Sequence, residues 1–167
     1  IKGIDDSDLC LLVGTDIKKE APILSSRIRQ KFLSSPKNYK ILSVGNFNLN
    51  FSVDYLGGNS SSLKKLNEKK NFDIFKKSKK PIFILGQGAM CHDDAPDIFS
   101  YCLNFYQKIS KNIDWNGFNL LQTFSGRVGA LDLGFYNKKN ISKSLIKQIY
   151  DGKFEILYLM SADEINF

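Results

Sequence analysis

Histidine is almost missing from this chain, arginine is scarce and cysteine is sparse. The 167 residues hold one histidine and three cysteines. Three cysteines, an odd number, cannot form the disulfide framework of a small secreted domain, so a reducing compartment is expected. His92 stands between Cys91 and the pair Asp93–Asp94. Neighbours in sequence point in different directions, and Cys10, Cys91 and Cys102 make neither a C-x-x-C pair nor an iron–sulfur spacing, so no metal site is expected. No window approaches the roughly 18 apolar residues of a membrane-spanning helix. No charged-then-apolar leader opens the sequence.

Arg27, Arg29 and Arg127 are the only arginines among 24 basic residues, which outnumber 17 acidic ones to give a formal charge of +7. Lysine, asparagine, isoleucine, serine and phenylalanine are abundant, a bias that fits an AT-rich coding sequence. The lysines crowd the middle of the chain, at Lys64, Lys65, Lys69, Lys70, Lys76, Lys77, Lys79 and Lys80. An RNA-binding module is one reading of that density, but the region lacks the aromatic ladder of single-strand binders. A solvated face explains it more simply, and no nucleic-acid partner is expected. Arginine forks carboxylates better than lysine does, so Arg27, Arg29 and Arg127 are expected in structural or interface pairing.

What is present reads as one partial α/β domain over residues 1–167. Hydrophobic residues make up 43% and charged ones 25%, ordinary values for a packed domain. Leu9–Val13, Tyr39–Val44, Pro81–Leu85 and Ile156–Met160 are short apolar runs of the kind buried on both faces of a parallel sheet. Asn48–Phe51 alternates and is expected as a short edge strand. Helices are expected over 22–34, beginning with Pro22 in its first turn, over 95–109 with Ile98, Tyr101, Cys102 and Phe105 on one stripe, and over 118–124. Short helices are expected behind Ser62 and Ser142 as caps, a glycine-broken segment over 127–135, and a loop over 137–140. Strands alternating with helices predict a mostly parallel sheet with helices on both faces. A strand at 156–160 would normally feed another helix, so the domain looks incomplete.

The segments LCLLVGTD, PIFILGQG and ILYLMSAD rhyme: each is a strand, a small residue and a polar turn. They are expected at the carboxyl edge of one sheet, where open α/β sheets bind ligands. Gly14, Thr15, Asp16, Gly86 and Gly88 are therefore vestigial phosphate-loop candidates, since backbone amides at such turns can hold an anion, although strand ends that need a tight turn explain them more simply. G-Q-G-A lacks the third glycine of the dinucleotide fingerprint. No pair of carboxylates is forced onto one face at acid–base spacing, so no catalytic residue is expected.

Four blocks carry a resemblance. They are GTD with EAP and RIR (Gly14–Asp16, Glu20–Pro22, Arg27–Arg29), KKP with G-x-x-A (Lys79–Pro81, Gly86, Ala89), VGALDLGF (Val128–Phe135) and the strand before Ser161-Ala162-Asp163. In this order they resemble the molybdopterin-oxidoreductase-like region of the largest iron–sulfur subunit of respiratory complex I, NADH:quinone oxidoreductase. The resemblance implies a molybdoenzyme-like domain without a cofactor of its own, the iron–sulfur clusters and FMN lying elsewhere in the complex. It implies a non-catalytic scaffold of the hydrophilic arm, on the matrix side of the mitochondrial inner membrane. Its partners would be the remainder of the iron–sulfur subunit, from which it is split, and other subunits of the arm. Gly14, Gly86 and Gly129 would then serve backbone geometry, and Arg27, Arg29 and Glu20 would make internal or interface ion pairs. The alternative is a molybdopterin- or nucleotide-binding oxidoreductase with phosphates on the strand-end loops.

Overall fold

The computed structural model describes residues 2–111, 113–122, 124, 126–134 and 147–158. The chain divides into two compact units, Ile1–Phe124 and Ser125–Phe167.

The first unit is built on five strands, β1 Leu9–Val13, β2 Lys40–Val44, β3 Asp54–Gly57, β4 Pro81–Leu85 and β5 Phe118–Leu120, all parallel and ordered β3-β2-β1-β4-β5. The chain builds outward from β1 to β3, then returns to the other side of β1 at β4. The reversal puts a topological switch point between β1 and β4, in register from Leu9↔Pro81 to Val13↔Leu85.

Alternation along the strands divides the core. Leu9, Leu11, Val13, Leu42, Val44, Phe83 and Leu85 face the 3₁₀ helix Ser60–Asn67, α4 Lys69–Lys77, α5 Gln87–Met90 and α6 Ala95–Ser110. Cys10, Leu12, Ile41, Ile82 and Ile84 face α1 Lys2–Asp6, α2 Ile17–Glu20 and α3 Pro22–Ser34. Because helices cover both faces, β1 and β4 are apolar at every position and read as continuous runs. Phe83 anchors the first core, with its ring centroid 5.5 Å from Phe75 and 5.2 Å from Tyr106. On the stripe expected of α6, Ile98, Cys102 and Phe105 are buried and Tyr101 is half-buried.

Several expectations are corrected. Phe118–Leu120 is a strand, not the start of a helix over 118–124. Gly117 decides it, since a Cβ there would meet the Pro81 carbonyl oxygen at 2.0 Å. This close approach lets the Gly117 carbonyl accept from Phe83 N–H at 2.8 Å and the ladder close at Leu121 N–H to the Leu85 carbonyl, also 2.8 Å. Asn48–Phe51 is not the edge strand, which is Asp54–Gly57; Leu49, Phe51 and Val53 instead cover the α3-side core. Ser62 does not cap a helix. It lies inside a 3₁₀ helix that begins after Asn59, and its hydroxyl donates to Asn59 Oδ1 at 2.8 Å.

In the second unit Arg127–Asp132 forms a short helix, α7, closed by Gly134 at φ +80°. Gly129 within it is not required by geometry, as a Cβ there meets nothing within 4 Å. Residues 147–150 are helical. Residues 156–158 form no strand, with Ile156 84% and Tyr158 81% exposed. Phe135, the loop 137–140, Ser142, Leu145, Ile146, Leu159, Met160 and Ser161-Ala162-Asp163 lie outside the described residues.

Candidate functional site at the carboxyl edge of the sheet

Two of the three rhyming loops meet at the switch point. The loop Gly14-Thr15-Asp16 leaves β1 and the loop Gly86-Gln87-Gly88 leaves the adjacent β4. They pack backbone on backbone. A Cβ at Gly14 would lie 2.5 Å from the Ala89 nitrogen, one at Gly88 would lie 2.7 Å from the Gly14 carbonyl oxygen, and one at Gly86 would lie 2.3 Å from Thr15 Cβ. Gly14 also holds φ +54°, in the region that favours glycine. The glycines are thus needed for contact between the loops. Thr15 is fully buried beneath them.

An internal anion binds where a phosphate would be sought. Glu20, at the end of α2, accepts from Asp16 N–H through Oε1 at 2.7 Å and from Gln87 N–H through Oε2 at 3.0 Å. Its carboxylate therefore clasps both loops. The Gln87 side chain extends the clasp: its amide nitrogen donates to the Leu121 carbonyl at 2.8 Å, and its oxygen accepts from the exposed Cys91 thiol at 3.2 Å. Among the described residues Glu20 makes these amide contacts and no ion pair. Arg27 does make an ion pair, 2.8 Å from Asp5, whereas Arg29 is exposed and makes no ion pair among the described residues. Glu20-Ala21-Pro22 is compact because Ala21 ends α2 and precedes α3, with Pro22 at the first helical position, where no amide is missed.

Beside the switch point lies a crevice of about 780 Å³ over the carboxyl ends of β1 and β2. Asn46 and Phe47, Asn59 and Ser60, and His92, Asp93 and Asp94 form its walls, and Gly14 and Gly88 reach its edge; Thr15, Asp16 and Gly86 do not. No lysine or arginine among the described residues lines it. Two carboxylates without a cation disfavour a pyrophosphate, and at the crevice's edge the Gly14 and Ala89 amides already donate to the Val44 and Gly86 carbonyls. This donor set does not suit the dinucleotide form of a pterin cofactor. The walls after β2 and β3 were not anticipated from sequence, because Asn46 and Asn59 belong to no motif that marks a site.

The cysteines do not converge. Cys10 and Cys102 are buried in the cores on opposite faces of the sheet, and burial pushes both thiols up to about 12. Tyr39 is also pushed up, by burial and then by Cys10. Among the described residues, no group of three or more His, Cys, Asp or Glu side chains could hold a metal ion.

A parallel α/β unit with strand-end glycine loops meeting at a switch point is the architecture of a large class of cofactor-binding proteins and their relatives. The sequence profile of the molybdopterin oxidoreductase family matches residues 1–167, and the chain belongs to that family. Among curated relatives it is 39% identical over 97% of its length to the NADH-ubiquinone oxidoreductase 75 kDa subunit of Reclinomonas americana. It is 38% identical over 99% of its length to the mitochondrial 78 kDa subunit of that enzyme from Candida albicans, and 33% identical over 99% of its length to the mitochondrial 78 kDa subunit from Neurospora crassa. The chain spans 23%, 22% and 22% of those three proteins, respectively.

Proposed function

We propose that the chain is a non-catalytic structural part of the hydrophilic arm of NADH:quinone oxidoreductase. It scaffolds the electron-transfer module on the matrix side of the mitochondrial inner membrane. The observation that carries this reading is the similarity of nearly the whole chain to one contiguous part of that enzyme's large subunit, at up to 39% identity. The Glu20 clasp supports the non-catalytic aspect, because it gives the two strand-end loops an anion of their own at the Asp16 and Gln87 amides. No cofactor is assigned to this chain; iron–sulfur clusters and FMN belong elsewhere in the assembly. The partners are the remainder of the iron–sulfur subunit and neighbouring subunits of the arm. Among the described residues no helix is long and apolar enough to cross a membrane, which accords with a peripheral position.

The test is a native gel of solubilised membranes, stained for NADH dehydrogenase activity, with the active band searched for this chain by peptide mass spectrometry. Stoichiometric presence is expected. Absence from the band, with molybdenum or a pterin fluorophore accompanying the purified chain, would overturn the proposal in favour of a molybdopterin oxidoreductase.

A further inference from the structure

At the opposite edge of the sheet, four lysines surround one groove. Lys37 lies in the loop before β2 and Lys40 at its first residue, while Lys70 and Lys77 lie near the two ends of α4. Together they line a groove of about 340 Å³. All four are exposed, and none has a carboxylate within ion-pair distance among the described residues.

Local structure does not account for this arrangement. Lys77 sits in the last turn of α4, where the helix dipole favours a cation, but Lys69 and Lys70 occupy the first turn, where it disfavours one. That turn holds no acidic residue. The nearby carboxylate of Asp8 is engaged internally, accepting from the Ser78 hydroxyl, from Lys79 N–H at 2.7 Å and from Lys80 N–H at 3.1 Å. Asp8 thus ties the start of β1 to the start of β4, its side chain turned to these donors and not to a lysine ammonium group, and the four lysines outnumber the carboxylates of Asp8 and Asp73 in the groove. The one other carboxylate among the described residues of the groove, Asp73, is exposed between Lys70 and Lys77.

We propose that this groove docks an acidic segment of another protein, several of whose carboxylates pair with Lys37, Lys40, Lys70 and Lys77 while a basic residue meets Asp73. Charge complementarity is the basis, and the alternation of Lys70, Asp73 and Lys77 selects a protein over a polyanion. A phosphodiester backbone or an anionic lipid surface would be repelled at Asp73, and the groove has no aromatic side chain among its described residues on which a base could stack. The partner's placement within NADH:quinone oxidoreductase rests on the function proposed above; the groove's preference for an acidic protein does not.

The test is zero-length carbodiimide cross-linking of native membranes, which joins a lysine amine to a carboxylate, followed by mass spectrometry of the activity-stained band. Links from these lysines to aspartates or glutamates of another polypeptide are expected. A band that contains the chain but yields none from the four lysines would overturn the groove proposal while leaving the assembly reading intact. If the chain is absent from the band, that reading fails, and the same cross-linking of the fraction that holds the chain decides the groove separately. As a second measurement, Lys40→Glu/Lys70→Glu/Lys77→Glu is expected to reduce retention in the partner complex about tenfold at moderate salt. Retention equal to wild type would refute the proposal. So would purified chain that binds RNA or phosphatidylserine vesicles through these lysines and shows no acidic protein partner.

Discussion

Replacing Gly86 by alanine tests whether the strand-end glycines serve loop packing or a ligand. Gly86 has φ −105°, which alanine adopts freely, so backbone strain does not enter. The cost arises from the added methyl. It would lie 2.3 Å from Thr15 Cβ and 2.7 Å from Thr15 Cα, and the latter belongs to the backbone at the end of β1. Neither atom can swing away, and Thr15 has no exposed surface into which to relax. Overpacking of this kind costs about 1–3 kcal/mol, or a fall in Tm of roughly 2–4 °C per kcal/mol for a chain of this size. Gly129→Ala is the internal control. A Cβ there meets nothing within 4 Å and the residue lies inside α7, so the change is expected to stabilise that helix by about 0.5–1 kcal/mol. Urea unfolding of the purified chain, followed by tryptophan fluorescence for the first unit and circular dichroism for both, measures the pair. Wild-type stability in Gly86→Ala would mean that the loops are not in contact, and the phosphate-cradle interpretation would return.

Glu20→Gln keeps one acceptor but turns an NH₂ toward a backbone donor. Because the site is exposed, a loss of only about 1–2 kcal/mol is expected, with faster hydrogen exchange at the Asp16 and Gln87 amides; unchanged exchange would refute the clasp. Tyr106→Phe removes the hydroxyl that accepts from buried Gly117 N–H at 2.6 Å and donates to the Trp115 carbonyl at 2.8 Å. It is expected to destabilise by roughly 1–3 kcal/mol, read as a shift of the urea midpoint, and a neutral result would contradict this tie across the β4–β5 junction. Cys91 is exposed and should react with a thiol reagent at once, while Cys10 and Cys102 react only on unfolding. Both buried thiols have folded pKa values raised from 9.0 to about 12. The unfolded chain therefore loses these protons first. Stability is intact below pH 9 and falls between pH 9 and 12, by about 1.4 kcal/mol per pH unit for each thiol; a flat alkaline profile would show that both are accessible in the fold, and half the slope that one is.

The sheet was legible where local and tertiary preferences coincide. Leu9–Val13 and Pro81–Leu85 are apolar at every position because helices cover both of their faces, and each ends at a glycine. That pattern has few other solutions. The helix over 22–34 was equally legible, since Pro22 starts it and Ile28 lies on its buried stripe. Legibility failed where the tertiary partner decides. Phe118–Leu121 has helix-like apolar spacing, and only the approach of Gly117 to Pro81 makes it a strand. Ile156–Met160 has the composition of a buried strand, but residues 156–158 lie exposed. Composition records what a segment is suited to bury, not whether a partner is present to cover it.

The candidate site separates in the same way. The five loop residues proposed from sequence were placed on adjacent strand ends, because parallel topology forces such loops to one edge. Their use was not visible, because a glycine that admits a phosphate and a glycine that admits a neighbouring loop give the same letter. Glu20 distinguishes the two. Its carboxylate reaches both loops only because α2 is a single turn long and returns the chain to the switch point, a consequence of Pro22 starting the next helix. In this chain the glutamate just before Ala-Pro gives the glycine loops their own anion, and Gly14–Asp16 and Gly86–Gly88 form a closed joint between β1 and β4. The same reasoning gives Asp8 its meaning at the amino edge, where its carboxylate joins the same two strands through the amides of Lys79 and Lys80. One carboxylate at each end of the β1–β4 pair holds the centre of the sheet, and at the amino edge the lysines of the groove outnumber the carboxylates beside them.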